Sequence, residues 1–486
     1  MTSRFLKIPA QQANLNSGLL DFKIPDSGYL NMQNAYISTM INVTTTEGAG
    51  VPAGIHNIIP TPKGPSTVPY SNACYIQDFT FSSDKFGALE SLKDANVLSQ
   101  NLDIYRKDFE DLMSANYKSL NQFGRPSYDS IVKWTSPLEF LNIAGASSYL
   151  PFEMMIPLKD FMKGIGNLNV YPCAQMGRSN LNVKWNANYI TFPENTQQYG
   201  AGNARATCVT PQVLGANILV ITAPPTFNAN NLTSCGLWVG QAVAITAASG
   251  LAGVAAGPIY RTIRTIALGG ANAPPNQIAL TFNANINADP AVAIVAARFQ
   301  TLAAASVTAT FSNPQLIVEQ LFPSKKVVRD LMAQKQLVYY PFEVEADQIG
   351  AVSSFNRLYT AIDGTCRNVL MLKVGIATDN LISENDTVSG YRLKLNNNDL
   401  TKSDVSTIAN QCPLYLDQLE KVIENMQMVP VKSLNRLYGA LVPLAMGAVI
   451  PEDGTDKKLQ LAIKATANMT ASNLFLFKEV QKVINF

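Results

Sequence analysis

An enzyme must place an acid, a base, a nucleophile or a metal, and each can be sought along this chain of 486 residues. A Ser-His-Asp or Cys-His nucleophile needs a histidine, and His56 is the single one in the sequence. It stands in "PAGIHNIIPTPKGP", a proline- and glycine-rich stretch that reads as a loop. A cupin-type metal centre gathers several histidines and is excluded by that count. The six cysteines, Cys74, Cys173, Cys208, Cys235, Cys366 and Cys412, never form a CxxC pair, so zinc and redox spacings are absent. They read as reduced, buried thiols. The acidic run "RKDFEDL" offers Asp108, Glu110 and Asp111, but on an amphipathic helix such residues form the solvated face. The glycine-rich pieces from Gly48 to Gly54 and from Gly250 to Gly257 lack the Lys-Ser/Thr ending of a phosphate loop. Trp134, Trp185 and Trp238 could stack on sugars, yet Trp185 falls on the apolar face of its strand and reads as core. The expectation is a protein with no catalytic residue, no metal and no cofactor.

Composition points to what covers the surface. Charged residues make up 15% of the chain, well below the usual quarter, so surface is buried in an assembly or kept soluble by neutral polar groups. The net charge of +2 comes from 37 basic and 35 acidic residues scattered along the chain, which leaves no basic stripe for nucleic acid. The N-terminal "MTSRFLKIPAQQ" lacks the apolar core of a signal peptide, so an intracellular compartment is expected. The uncharged stretch Gly236 to Tyr260 is rich in alanine and glycine and reads as β-structure rather than a membrane span.

The dominant pattern has period two. In "LNVKWNANYITF", Leu181, Val183, Trp185 and Ala187 share one face and Asn182, Lys184, Asn186 and Asn188 the other. Leu459, Leu461 and Ile463 oppose Lys458, Gln460 and Lys464 in the same way. Further strands are expected over residues 36–45, 75–81, 306–311, 337–345, 369–377, 391–396 and 473–478. Two helices interrupt them, one with Leu98, Leu102, Tyr105, Phe109 and Leu112 in line, the other with Leu416, Leu419, Ile423 and Met426.

An order recurs. Each helix precedes a short Pro-Leu strand, "MMIPLKDF" around Pro157 or "ALVPLAMG" around Pro443, and then one of the best alternating strands. A module that keeps its strand order and varies its loops reads as a duplicated sandwich. Residues 201–305 break the pattern: their only charges are Arg205, Arg261, Arg264, Arg298 and Asp289. Runs such as "ANILVIT", "QAVAIT", "RTIRTIAL", "QIALTF" and "VAIVAARF" make that segment a small inserted β-domain. The expected fold class is all-β: two tandem jelly-roll β-sandwiches with short helices in loops and a β-rich insert in the first. The expected divisions are 1–200 for the first roll, 201–305 for the insert, 306–325 completing the first roll and 326–486 for the second.

"FKIPDSGYLNMQNAYISTMINV" (Phe22 to Val43), "GYRLKLNNNDLTKSD" (Gly390 to Asp404), "PFEMMIPLKDF" and "KLQLAIKATANMTASNLFLFKE" together resemble the double jelly-roll major capsid proteins of the adenovirus-hexon lineage, most similar to those of polinton-like viruses and virophages. The resemblance excludes the insert. It implies a structural subunit forming pseudo-hexagonal homotrimers in an icosahedral shell of a virion, with itself, neighbouring capsomers, penton and minor capsid proteins as partners. It carries no catalytic residue and leaves contact with an internal membrane open. Two other classes compete: a carbohydrate- or receptor-binding β-sandwich, and a hydrolase using carboxylates alone, which requires two acids facing across a cleft. The histidine separates structure from catalysis directly. His56→Ala is expected to leave the melting temperature and the assembly state unchanged, and loss of any measurable enzymatic activity in that variant would overturn the structural reading.

Overall fold

The period-two stretches are strands, and the strands build two sandwiches of one design. The computed structural model describes residues 2–14, 18–46, 55–58, 61–62, 72–106, 141–144, 152–191, 198–199, 206–212, 217–222, 237, 239–247, 259–269, 277–285, 294–301, 305–333, 335–376, 381, 383, 387–401, 404–407, 413–426 and 445–486. The first part of the chain runs β1 (Thr2–Pro9), β2 (Gln12–Asn14), β3 (Leu19–Ile24), β4 (Tyr29–Thr46), β5 (Ile55–Ile58), β6 (Thr61–Pro62), β7 (Ile76–Ser83), β8 (Gly87–Leu92), helix α1 (Ala95–Arg106), β9 (Leu141–Ala144), β10 (Phe152–Pro157), β11 (Tyr171–Pro172), β12 (Ser179–Trp185) and β13 (Ile190–Thr191). Then come β14 (Gln198–Tyr199), β15 (Ala206–Gln212), β16 (Ile218–Thr222), β17 (Ala242–Ala247), β18 (Ile259–Leu268), β19 (Gln277–Phe282), β20 (Ile294–Thr301) and the long β21 (Ser306–Phe322). After helix α2 (Lys325–Ala333) follow β22 (Gln336–Tyr339), β23 (Phe342–Ile349), β24 (Ser354–Ile362), β25 (Cys366–Gly375), β26 (Val388–Leu395), β27 (Asn398–Asp399), β28 (Val405–Ser406), helix α3 (Pro413–Asn425), β29 (Ala445–Val449), β30 (Lys457–Ala465), β31 (Ser472–Val480) and β32 (Lys482–Asn485).

In the first roll one sheet has the order β1-β21-β4-β10 and the other β2-β3-β12-β7-β8. In the second the orders are β23-β31-β25-β29 and β24-β30-β26-β27, with β28 also on β26. Matched position by position, β1, β3, β4, β7, β8, β10, β12 and β21 correspond to β23, β24, β25, β26, the β27–β28 pair, β29, β30 and β31. This is the jelly-roll order, present twice. The fold class is all-β as expected. Trp185 on β12 stacks on Tyr75 at 4.9 Å and meets Phe311 of β21 edge-on at 5.1 Å, which ties the two sheets of the first roll across the core. In the second roll Leu459, Leu461 and Ile463 of β30 are buried to 1% exposure or less, as their alternation requires. The β26–β27 hairpin turns on Asn396 and Asn397, whose φ angles of 49° and 68° suit the mirror-image turn that matches strand twist.

Several readings change. Residues 337–345 are two strands, because Tyr340 and Pro341 interrupt the pairing. The strand at Leu181 ends at Trp185 with a bulge, and residues 187–189 form a 3-10 turn, so Ala187 leaves the alternation. Tyr75 closes a 3-10 turn before its strand. The two Pro-Leu motifs are not equivalent either: Pro157 ends β10, whereas Pro443 precedes β29, which starts at Ala445. The order of helix and strands recurs although the motif does not. Phe109 and Leu112 lie outside the described residues.

The insert closes on itself. Antiparallel pairings link β15–β16, β16–β19, β19–β18, β18–β17, β17–β20 and β20–β15, a ring of six strands, with β14 attached to β20. Its described interior includes Leu219, Ile221, Val243, Ile245, Ile263, Ile278, Leu280 and Phe282, all nearly inaccessible. A closed ring leaves no unpaired edge.

The two rolls stand side by side and point the same way, because like ends touch. At the end that carries the β8–β10 and β4–β7 connections, Asn101 of α1 reaches into the second roll. Its Nδ2 donates to Leu381 O and Val97 O, both at 2.7 Å, and its Oδ1 accepts from Ser383 N at 2.9 Å. At the opposite end Tyr339 Oη donates to Leu89 O at 2.8 Å. Beside it Glu90 accepts Gly164 N and Ile165 N at 2.8 and 2.6 Å, and Gly164 lies so close to Pro341 that an added Cβ would stand 2.9 Å from its nitrogen. One continuous core runs through both rolls.

Burial makes this junction sensitive to protons. Desolvation outweighs the two amide hydrogen bonds and the charges of Lys482 and Lys163 and raises the Glu90 carboxyl to about 7. Glu479 on β31 is likewise raised to about 7, mainly by burial, against a hydrogen bond from Asn368. An acid whose folded-state value lies above its unfolded 4.5 holds its proton more tightly when folded. Its stabilising contribution is therefore complete below about 4.5 and is lost as pH rises through about 7. Unfolding free energy, followed by denaturant titration, is expected to fall across that window and level off above it. Glu90→Gln should flatten part of the slope while leaving the Glu479 part, and an unchanged slope would remove Glu90 as its source.

Candidate functional site

Residues with chemical potential are scattered by the fold. His56 lies on β5, paired with Ile143 of β9, so it belongs to a strand and not to a loop. Asp108, Glu110, Asp111, Trp134 and Trp238 fall outside the described residues. Trp185 is core, 2% exposed. Cys74, Cys173 and Cys366 are buried thiols outside any disulfide, and Cys74 donates to Gln100 Oε1 at 2.7 Å. Burial pushes the thiols of Cys173 and Cys366 up to about 12, which makes them poor nucleophiles. Among the described residues no group of three or more histidine, cysteine or carboxylate side chains is placed to hold a metal. Among them, too, no helix is long and apolar enough to cross a membrane.

What the fold does offer is a set of surfaces. The corner where the second roll's first strand begins and its last strand ends is sealed: Tyr339, Phe342 and Val480 are 3%, 2% and 2% exposed. In the first roll Phe5, on the outer face of β1, is 60% exposed, and Phe322 at the end of β21, on the other face of the sheet, is 44% exposed. Arg4 lies over the Phe322 ring at 5.3 Å and donates from Nε to Gln320 Oε1 at 2.8 Å. The exposed Lys325 and Lys326 follow at once on α2.

The helices differ in their surroundings. Asn96, Ser99, Gln100 and Asn101 of α1 are fully buried; Ser99 Oγ donates to Asp160 O at 2.9 Å within the first roll, and Asn101 reaches the second. Helix α3 buries Tyr415, Leu419, Val422 and Met426 but leaves Asp417, Glu420, Lys421 and Glu424 exposed. The β29–β30 turn, residues 451–456, is exposed throughout. There Glu452 pairs with Arg367 at 3.0 Å and Asp453 with Lys457 at 2.7 Å.

Reading the sequence missed Asn101 and Glu90. A signal for the first was available: from Ala95 to Leu102 the helix has no charged residue, which a solvated face would carry. Glu90 had none, because a lone glutamate in a strand looks like surface.

No protein-family model matches the sequence, and no curated protein does. Among solved structures the chain is similar to the Faustovirus major capsid protein, at 8% identity and a TM-score of 0.51, over 100% of this chain and 90% of that one. It also aligns with the PBCV-1 VP54 structure fitted into a reconstruction of the virophage Sputnik, at 10% identity over 99% and 94% of the two chains with a TM-score of 0.44. For the mavirus major capsid protein the values are 8% identity, 99% and 87% coverage, and a TM-score of 0.36. The strand orders of both rolls and the end-to-end match to the Faustovirus protein give one conclusion: the chain has the double jelly-roll fold.

Proposed function

We propose that the protein is a viral major capsid protein, a structural subunit that forms homotrimers of pseudo-hexagonal outline. The observation that carries this reading is the duplication, followed strand by strand, with both rolls side by side and pointing the same way. Three such chains in a ring present six similar blocks, so a three-fold assembly can fill a hexagonal lattice position. The fold it shares with the Faustovirus major capsid protein and the 15% charge content support the same reading. Its partners are then further copies of itself and neighbouring capsomers, with penton and minor capsid proteins completing the shell of the virion. A net charge of +2 argues against direct sequence-specific binding of nucleic acid.

In this reading residues 1–200 and 306–325 form the first roll, 326–486 the second, and 201–305 a separate small β-domain that stands as a tower on the outer face. The self-closed ring of strands supports that independence. The trimer is tested by light scattering on purified protein, where a mass of 3 × 52.7 = 158.1 kDa is expected. A monodisperse monomer at micromolar concentration would sink the capsid reading. Electron microscopy should show trimers with a pseudo-hexagonal base or hexagonal arrays. Replacing Gly202 to Ala304 with a short Gly/Ser linker should leave a folded protein that keeps the circular-dichroism strand signal of the two rolls, since closing a loop of different length costs slowly growing entropy. Insoluble product after the linker length has been varied would place these residues in the core of the first roll.

A further inference from the structure

The junction between the rolls has two unlike ends. At the Asn101 end the bonds run between an amide side chain and backbone groups, none of which takes up or releases a proton. The Glu90 end depends on a separate ribbon. Strands β22 and β32 form a two-stranded sheet of their own, Gln336 to Tyr339 against Asn485 to Lys482, and Phe486 N donates to Lys335 O at 2.9 Å. Cross-strand pairing and alternation put Leu337, Tyr339, Lys482, Ile484 and Phe486 on one face and Val338 and Val483 on the other. The first face lies on the first roll: Tyr339 Oη donates to Leu89 O at 2.8 Å, and the Phe486 ring meets Phe86 of the β7–β8 turn edge-on at 6.1 Å. Tyr339 and Ile484 are buried there, while Val338 and Val483 are exposed.

We propose that this ribbon is a releasable clasp: it holds the Glu90 ends of the two rolls together while Glu90 keeps its proton, and it leaves the first roll when Glu90 ionises, so that the rolls hinge about the Asn101 end. Charged and titratable groups face the Glu90 carboxyl from each neighbouring element. Lys163 does so from the β10–β12 connection, Tyr339 and Lys482 from the ribbon, and Glu343 of β23 takes up Lys482 at 3.1 Å. On β7 the residue opposite is Phe81. The two lysines and the amides of Gly164 and Ile165 favour the carboxylate, but burial outweighs them and the seated ribbon keeps the proton on up to about 7. Lifting the ribbon lets water reach the carboxyl and moves it back toward 4.5. The open form then binds fewer protons, so opening becomes easier as pH rises from 4.5 to about 7 and no easier above that. A two-stranded ribbon with one bare face is also the kind of segment that opens on its own, ahead of the core strands.

The clasp is internal to one chain and stands apart from the trimer reading. Amide hydrogen exchange of the full chain, read peptide by peptide and divided by the intrinsic rate at each pH, follows it directly. Protection over residues 335–340 and 481–486 is expected to fall about tenfold or more between about pH 5 and about pH 7 and to level off above. It should lie well below that of β12 and β30 at every pH, which marks the opening as local. Glu90→Gln, which cannot ionise, should hold the ribbon at one protection across the range. Phe486→Ala should lower ribbon protection at every pH and leave the slope. Lys482→Met removes a charge that favours the carboxylate and should move the levelling-off to higher pH, so it decides the matter if Glu90→Gln does not fold. Ribbon protection that is indifferent to pH, equal to that of β12 and β30, or still falling with pH in Glu90→Gln overturns the clasp, as does an unmoved plateau in Lys482→Met.

Discussion

Asn101 is a fully buried amide, and two of its three hydrogen bonds, to Leu381 O and from Ser383 N, join two sandwiches into one body. Buried polar groups without partners cost more than partnered ones contribute, so such a side chain tolerates one arrangement of its surroundings. That arrangement requires α1 to lie in the β8–β10 connection. It also requires the backbone at Leu381 and Ser383 to leave β25 in the direction it does, and Ser383 Oγ accepts Lys373 N at 3.0 Å to hold it there. Core packing alone would allow the rolls to slide. Directional bonds at one end, together with the close backbone approach of Gly164 to Pro341 at the other, fix both separation and parallel orientation.

Much of the fold was legible because strands with one buried face must alternate. Val183 and Leu461 lie inside for the reason their neighbours Lys184 and Gln460 lie outside. The order of helix and strands in each half was legible for the same reason. Interruptions were less so: Pro341 splits a run whose side chains still alternate, and only the missing amide hydrogen explains why pairing stops. The ring closure of the insert could not be read, since alternation is identical in an open sheet and a barrel, and closure depends on which strand β20 meets.

The functional surfaces were legible only in part. Low charge pointed to hidden area without locating it. Asn96, Ser99, Gln100 and Asn101 look like a wet helix face in sequence, and they are dry because α1 is packed on the first roll while Asn101 meets the second. Glu90 reads as an ordinary strand surface residue, and its altered proton affinity arises from burial beneath segments far from it along the chain, which outweighs the opposing pull of the amides of residues 164 and 165. Such sites are made by tertiary contact, and period and composition do not carry them.

The parallel orientation of the rolls gives the molecule a top and a bottom. The long connections, those from β4 to β7, β8 to β10 and β12 to β21, leave one end, while the tight turns such as residues 25–28 and 451–456 gather at the other. A layer made by setting such units side by side inherits that polarity in every tile. One face is then free to vary in length and sequence, as the inserted barrel illustrates. The other is confined to short reversals whose geometry the sheets dictate. Change in what the layer meets on one side can accumulate without disturbing what it rests on.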